Sequence, residues 1–104
     1  MQTAPLSVTE LKAELPGNTF GRGGARAFIS PDGRQYLAAG TKVDVGRWRI
    51  APAGLYCTSW NVSDGGRERC CHVYREGETF EFQVSDRWTV QRCTRARGRA
   101  ADFQ

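Results

Sequence analysis

The side chains with the most chemical potential in this sequence are four cysteines, Cys57, Cys70, Cys71 and Cys93, and a single histidine, His72. Thiolate and imidazole are the ligands that zinc and copper prefer, so the run Cys70-Cys71-His72 raises the idea of a metal or redox centre. Successive residues of a strand face opposite sides, which lets Cys70 and His72 share an ion but leaves Cys71 out. Further ligands would have to come from Cys57, Cys93 or Glu81, and His72 otherwise reads as a cross-strand partner of Glu81. An even cysteine count without a C-x-x-C spacing points instead to two disulfides and an oxidising compartment, so no metal site is expected. Cys57 and Cys70 flank a Ser63-Asp64 turn symmetrically, and a bridge between them would add roughly 3 kcal/mol by the loop-entropy argument. Cys71 and Cys93 are left as the second pair by elimination. The strand register drawn below places those two on opposite faces, so a bulge, another pairing or a free thiol stays open.

Catalysis finds little to work with. His72 is the only base suited to neutral pH, no G-x-S-x-G is present, and no acid is spaced to orient the imidazole. Asp32, Asp44, Asp64 and Glu81 are scattered over turns or between basic side chains, which makes no carboxylate pair. Gly21-Arg22-Gly23-Gly24 is rich in glycine, but no helix and no Lys-Ser/Thr follow it to complete a phosphate cradle. The expectation is a protein without enzymatic activity or cofactor. Arginines beside aromatics, as in Arg47-Trp48-Arg49 and Tyr74-Arg75, mimic a single-strand nucleic-acid surface. Alternation turns Trp48 and Ile50 toward the core, however, and a nucleic-acid partner is disfavoured.

The elements that must position these residues fit one domain. The chain has 104 residues and a mass of 11.6 kDa, with 39% hydrophobic and 25% charged residues, enough for one modest core. No apolar run reaches membrane-spanning length. Residues 6–15 predict a short helix at about 7–15: Ser7 and Glu10 form a capping box, Val8, Leu11 and Leu15 recur at helical spacing, and Pro16-Gly17 stops it. That helix is expected to plug or cover a sheet. From Asn18 onward the period is two, with turn signals about every ten residues. Candidate strands lie at 19–20, 25–29, 34–38, 42–45, 47–50, 55–60, 69–75, 79–84 and 87–93. The fold class is therefore mainly β: an antiparallel meander closing into a small barrel or sandwich, with one short N-terminal helix. Closure would also remove exposed edges.

A two-residue turn at Glu76-Gly77 pairs Val73 with Phe80 and Cys71 with Phe82. A three-residue turn at 85–87 pairs Val84 with Trp88 and Phe82 with Val90. One face then holds Cys71, Val73, Phe80, Phe82, Val84, Trp88 and Val90 as core. The other holds Cys70, His72, Tyr74, Thr79, Glu81, Gln83, Thr89, Gln91 and Cys93. The domain is expected to end at 93, with 94–104 as a flexible basic tail carrying Arg95, Arg97 and Arg99.

The ordered motifs Gly17-Asn18-Thr19-Phe20, Gly46-x-Trp48-Arg49-Ile50, Gly54-Leu55-x-Cys57-x-x-Trp60 and Arg67-x-Arg69-Cys70-x-x-Val73-Tyr74-Arg75-x-Gly77 resemble a set of small exported alphaproteobacterial proteins without assigned activity. The resemblance covers roughly residues 15–77. It implies a β-rich fold, export and a structural role for Cys57 and Cys70, while Cys71 and Cys93 depart from the pattern. The polar start after Met1, Gln2-Thr3-Ala4-Pro5, reads as a mature chain whose export signal has been removed, giving a periplasmic or secreted protein.

The formal charge is +4, carried by thirteen arginines and two lysines and concentrated toward the C-terminus. Such charge attracts anionic partners. The leading expectation is a binding protein, an accessory subunit or inhibitor that contacts another protein through Trp60, Tyr74, Arg75, Arg92 and Arg95, because Trp, Tyr and Arg are the usual interface anchors. The alternative is a calycin-like barrel holding a small apolar ligand or cofactor. Phe80, Phe82, Trp88 and Trp48 would fill most of that interior, so a pocket would require the small residues Ala38, Ala39 and Gly40 to leave a gap. The third reading is the metal or redox protein built on Cys70, Cys71 and His72.

Overall fold

The structure is a computed structural model that describes residues 4–61, 63–84 and 90–98, with the backbone alone at 63, 64, 84 and 90. The helix α1 spans Val8–Glu14, and Ser7 and Glu10 make the reciprocal capping box read from the sequence. Eight strands follow: β1 (Asn18–Arg22), β2 (Ala25–Ile29), β3 (Arg34–Ala39), β4 (Lys42–Ala51), β5 (Leu55–Trp60), β6 (Arg69–Glu76), β7 (Thr79–Val84) and β8 (Val90–Arg97). Each pairs antiparallel with the next, and β8 returns to β1, so the meander closes into a barrel.

Residues 42–45 and 47–50, read as two strands, form the single strand β4 running through Gly46. A side chain there would collide with the Ser59 carbonyl and meet the Trp60 ring at 2.9 Å. Glycine is present for close approach, not as a break.

The β6–β7 register differs from expectation by two residues: Val73 lies opposite Phe82, Cys71 opposite Val84 and Glu76 opposite Thr79. A shift of two keeps every side chain on its face, so Cys71, Val73 and Phe80 remain buried. The β7–β8 register differs by one, with Phe82 opposite Gln91 and Phe80 opposite Cys93. A shift of one inverts the strand, so Cys93 and Arg95 turn inward and Arg92 outward. The expected core position of Trp88, like Thr89 and the turn at 85–87, lies outside the described residues.

The expected tail at 94 is overturned as well. β8 continues to Arg97, pairing Thr94 with Gly21 and Arg97 with Asn18. Residues 99–104 lie outside the described residues.

Alternation around the barrel builds one core from Phe20, Ile29, Tyr56, Cys71, Val73 and Phe80. The chain enters β1 from α1, so the β2–β3, β4–β5 and β6–β7 turns share the helix end. Leu6, Leu11 and Leu15 seal that end, and the Leu6 amide donates to the Val73 carbonyl at 2.7 Å. Burying each leucine contributes about 1.5–3 kcal/mol. The helix thus plugs the barrel, as its apolar spacing predicts. The opposite end carries the β1–β2, β3–β4 and β5–β6 connections, the last including a 3-10 turn at Ser63–Gly66.

Candidate functional site: an interior cavity open at one end

A cavity of about 300 Å³ occupies the barrel interior. Its apolar depth is Phe20, Tyr56, Phe82, Ile29 and Ala27, with the sulfur-bearing side chains of Cys71 and Cys93 beside them. Phe20 meets Phe80 and Phe82 edge-on at centroid separations of 5.1 and 5.6 Å, and Tyr56 leans against Phe82 at 5.7 Å. Edge-to-face contact is a favoured geometry for aromatic pairs and stabilises this wall. A few polar groups sit among them. The Tyr56 hydroxyl donates to Gln35 Oε1 at 2.5 Å, and Gln35 is fully buried. Burial raises the Tyr56 phenol well above its ordinary range, so it stays protonated and donating. Thr58 and Gln91 complete the walls, and Trp60, Arg67 and Arg69 stand toward the β5–β6 connection. Thr58 and Arg69 are register partners. Among the described residues, no Asp or Glu lines the cavity.

The small residues expected to leave room, Ala38, Ala39 and Gly40, do not line it; Ala27, on the neighbouring strand β2, does. Phe80 lies fully buried within the core, and Trp48 packs against that core while its indole donates to the Ser30 carbonyl at 2.8 Å. Arg47 and Arg49 point outward as alternation requires, and Arg49 makes a bidentate pair with Glu68 at 2.8 and 2.9 Å.

Cys57 and Cys70 are register partners on β5 and β6 and form the disulfide. Cys71 and Cys93 are free thiols, which corrects the second bridge. They sit on non-adjacent strands, β6 and β8, separated by β7. Burial pushes the Cys71 thiol up to about 12 and raises Cys93 as well, the latter opposed in part by the nearby Arg22 guanidinium. Both are therefore protonated at neutral pH and poor nucleophiles. The Cys70-Cys71-His72 centre does not assemble: the Cys70 sulfur is spent in the bridge, while Cys71 turns inward. Glu68 lies with Cys57 and Cys70 at metal-ligand spacing, but both of its sulfur neighbours are that same disulfide. His72 stands opposite Gln83, whereas Glu81 stands opposite Tyr74, so the expected His72–Glu81 pair is replaced.

The five predicted docking residues separate into three places. Trp60 stands at the cavity. Tyr74 and Arg92 lie on the outer wall flanking Glu81, and Arg92 binds that carboxylate at 2.6 Å. Arg75 and Arg95 belong to the helix end, where the Arg95 side chain is wholly enclosed. Arg95 forks onto Glu78 at 2.8 and 2.7 Å, reaches Glu14 Oε1 at 2.6 Å and stacks 4.8 Å above the Phe80 ring. Arg75 bridges Glu14 at 2.7 Å and also lies over the Phe80 ring, 5.3 Å from its centroid. Arg95 is thus a structural clamp between α1 and β8, not a surface anchor. Arg95 and Arg75 hold the Glu14 carboxyl, and Arg95 that of Glu78, below the ordinary glutamate value.

The cavity residues Arg67, Arg69, Thr58, Gln35 and Gln91 were not singled out by sequence reasoning as binding residues. A signal was present for one of them, since Arg69 shares the inward phase of Cys71 and Val73. Compared with known protein families, curated proteins and solved structures, the chain matches none of them.

Proposed function

We propose that this chain is a non-catalytic binding barrel that takes a small, largely apolar molecule into its interior. The observation that carries the reading is the 300 Å³ cavity, walled by Phe20, Tyr56 and Phe82 and set with a few polar groups. That combination of apolar surface and sparse hydrogen-bonding groups is the usual character of a small-molecule site. The protonated thiols beside it offer no activated nucleophile, which supports binding over covalent chemistry. The accessory-subunit reading is weaker, because two of its five anchors, Arg75 and Arg95, are committed to Glu14 and Glu78. The disulfide supports an exported protein working in an oxidising compartment.

The test uses the neutral fluorophore N-phenyl-1-naphthylamine with the full chain and with Thr58→Phe, which places a ring in the cavity. Wild type is expected to bind one equivalent saturably, with energy transfer from Trp60, while Thr58→Phe melts cooperatively and binds at least tenfold more weakly. Absence of saturable binding by wild type, or equal binding by a folded Thr58→Phe protein, overturns the reading.

A further inference from the structure

We propose that the outer face of β3 and β4 docks a second protein, through an extended segment that lays apolar side chains on Val43 and Val45 and sets a carboxylate on Arg34 and Arg47. This does not depend on the cavity being occupied.

Three successive cross-strand pairs point outward on these strands: Ala38 with Val43, Tyr36 with Val45, and Arg34 with Arg47. Their phase is fixed by the intervening Gln35 and Asp44, which are buried. Val43 is 74% exposed and Val45 41%, and among the described residues these two are the exposed large hydrophobics. Tyr36 is half-buried and stacked with Phe28, so it forms a fixed border beside the valines.

Arg34 and Arg47 stand directly opposite one another, and both are exposed. Like charges so placed destabilise a sheet. Elsewhere on the barrel wall arginines are matched, Arg49 with Glu68 and Arg92 with Glu81. Among the described residues neither Arg34 nor Arg47 has a carboxylate within ion-pair distance. Asp32, in the β2–β3 turn, accepts from the Arg34 amide at 3.0 Å and from the Ser30 hydroxyl, and feels the Arg34 charge only from beyond that distance. Asp44 is turned inward and accepts from the Val45 amide. The arginine pair is thus a repulsion that an incoming carboxylate relieves, set beside exposed apolar surface.

Chemistry and geometry select the occupant. The barrel is closed, so β3 and β4 are paired on both sides and cannot take up a further strand. A partner must meet the side chains. Successive pairs lie about 6–7 Å apart along the strands, which is the spacing of alternate residues in an extended chain. Two apolar contacts followed by a charge match a segment of the form acidic-x-apolar-x-apolar. A second copy of this chain does not fit, because each carries +4 and a two-fold contact through this face would bring its arginine pair against the same pair. A nucleic acid would engage the arginines and leave the valines without apolar cover.

The experiment titrates the isotopically labelled full chain with the capped peptide Glu-Thr-Val-Thr-Val and with its Gln-first and Lys-first counterparts, read by backbone and arginine side-chain NMR shifts. The acidic peptide is expected to move Arg34, Ala38, Val43, Val45 and Arg47, with a midpoint about fivefold below that of the Gln peptide. That advantage should shrink as salt is raised, and the Lys peptide should be the weakest. Arg34→Glu/Arg47→Glu should invert the order of the three. Arg47→Glu alone sets opposite charges across the register, so it should melt about 1–5 °C above wild type while losing the preference for the acidic peptide. Equal midpoints for the acidic and Gln peptides, shifts confined to other strands, or an unaltered order in the double variant overturns the inference. An Arg47→Glu protein that melts below wild type overturns it too, since the arginine pair would then carry no repulsion to relieve. A short DNA duplex that moves the same residues at lower concentration than the acidic peptide overturns the protein assignment in favour of a nucleic acid.

Discussion

Arg95 is the residue whose replacement most directly tests how the helix end is held. Its side chain has no exposure, and its guanidinium donates to both oxygens of Glu78, to Glu14 Oε1 at 2.6 Å and to the Glu14 carbonyl at 3.1 Å. Arg95→Gln removes the charge that compensates two carboxylates and the plane that covers Phe80. Breaking a buried pair costs about 3–5 kcal/mol, and the partial exposure of both glutamates argues for the lower end, about 3 kcal/mol. Arg95→Lys keeps charge and stem but cannot fork, and about 1.5 kcal/mol is expected. In urea, with a slope of roughly 1–3 kcal/mol per molar, the Gln variant should unfold about 1–3 M earlier than wild type. The pH dependence has a definite sign. Hydrogen bonding to Arg95 is the largest cause that lowers both Glu14 and Glu78, so their contribution is present above the unfolded glutamate value near 4.5 and is lost as pH falls through the depressed folded values. The gap between wild type and Arg95→Gln, followed by tryptophan fluorescence, should therefore be full at pH 7 and narrow below pH 4.5. A gap that is unchanged at pH 3, or an Arg95→Lys protein as stable as wild type, would refute the clamp.

Three further outcomes are expected. Reducing the Cys57–Cys70 bridge, which closes a separation of 13 residues, should destabilise the chain by about 3 kcal/mol, seen as a lower melting temperature with reductant present and abolished in Cys57→Ala/Cys70→Ala. Gly46→Ala forces a methyl against the Ser59 carbonyl and the Trp60 ring; a loss of about 3 kcal/mol or more is expected by thermal melting, and an unchanged melt would show that β4 and β5 can part without cost. Ellman titration in guanidinium should count two thiols before reduction and four after. In the native protein at pH 8 Cys71, raised to about 12 by burial, should react far more slowly than in guanidinium, and equal rates would place it at the surface.

The local signals in this chain were strong and read correctly: the Ser7–Glu10 capping box, the period of two after Asn18, and the symmetric placement of Cys57 and Cys70 about one turn all reappear in three dimensions. Each depends on residues near in sequence, where steric preference and hydrogen bonding act without knowledge of the remainder of the fold. The face of β6 and β7 also survived a register shift, because an even slip conserves alternation.

What the sequence left open was the phase of β8. The series Val90, Gln91, Arg92, Cys93, Thr94, Arg95 mixes polar and apolar residues in both phases, so alternation does not choose between them. The choice falls to contacts far apart in the chain: Arg95 with Glu14, 81 residues away, and the pairing of Asn18 with Arg97 that closes the barrel. With that phase set, the first four residues of an expected flexible tail became strand, a surface arginine became a buried clamp, and Gln91 and Cys93 turned to line the cavity. The cavity too is a tertiary product. It exists because eight closed strands leave more interior than their inward side chains fill, a balance of volumes that no single strand records. Local chemistry determined the elements and one disulfide; closure, ion pairing across the ends of the chain and the packing of the barrel decided which side chains line the cavity.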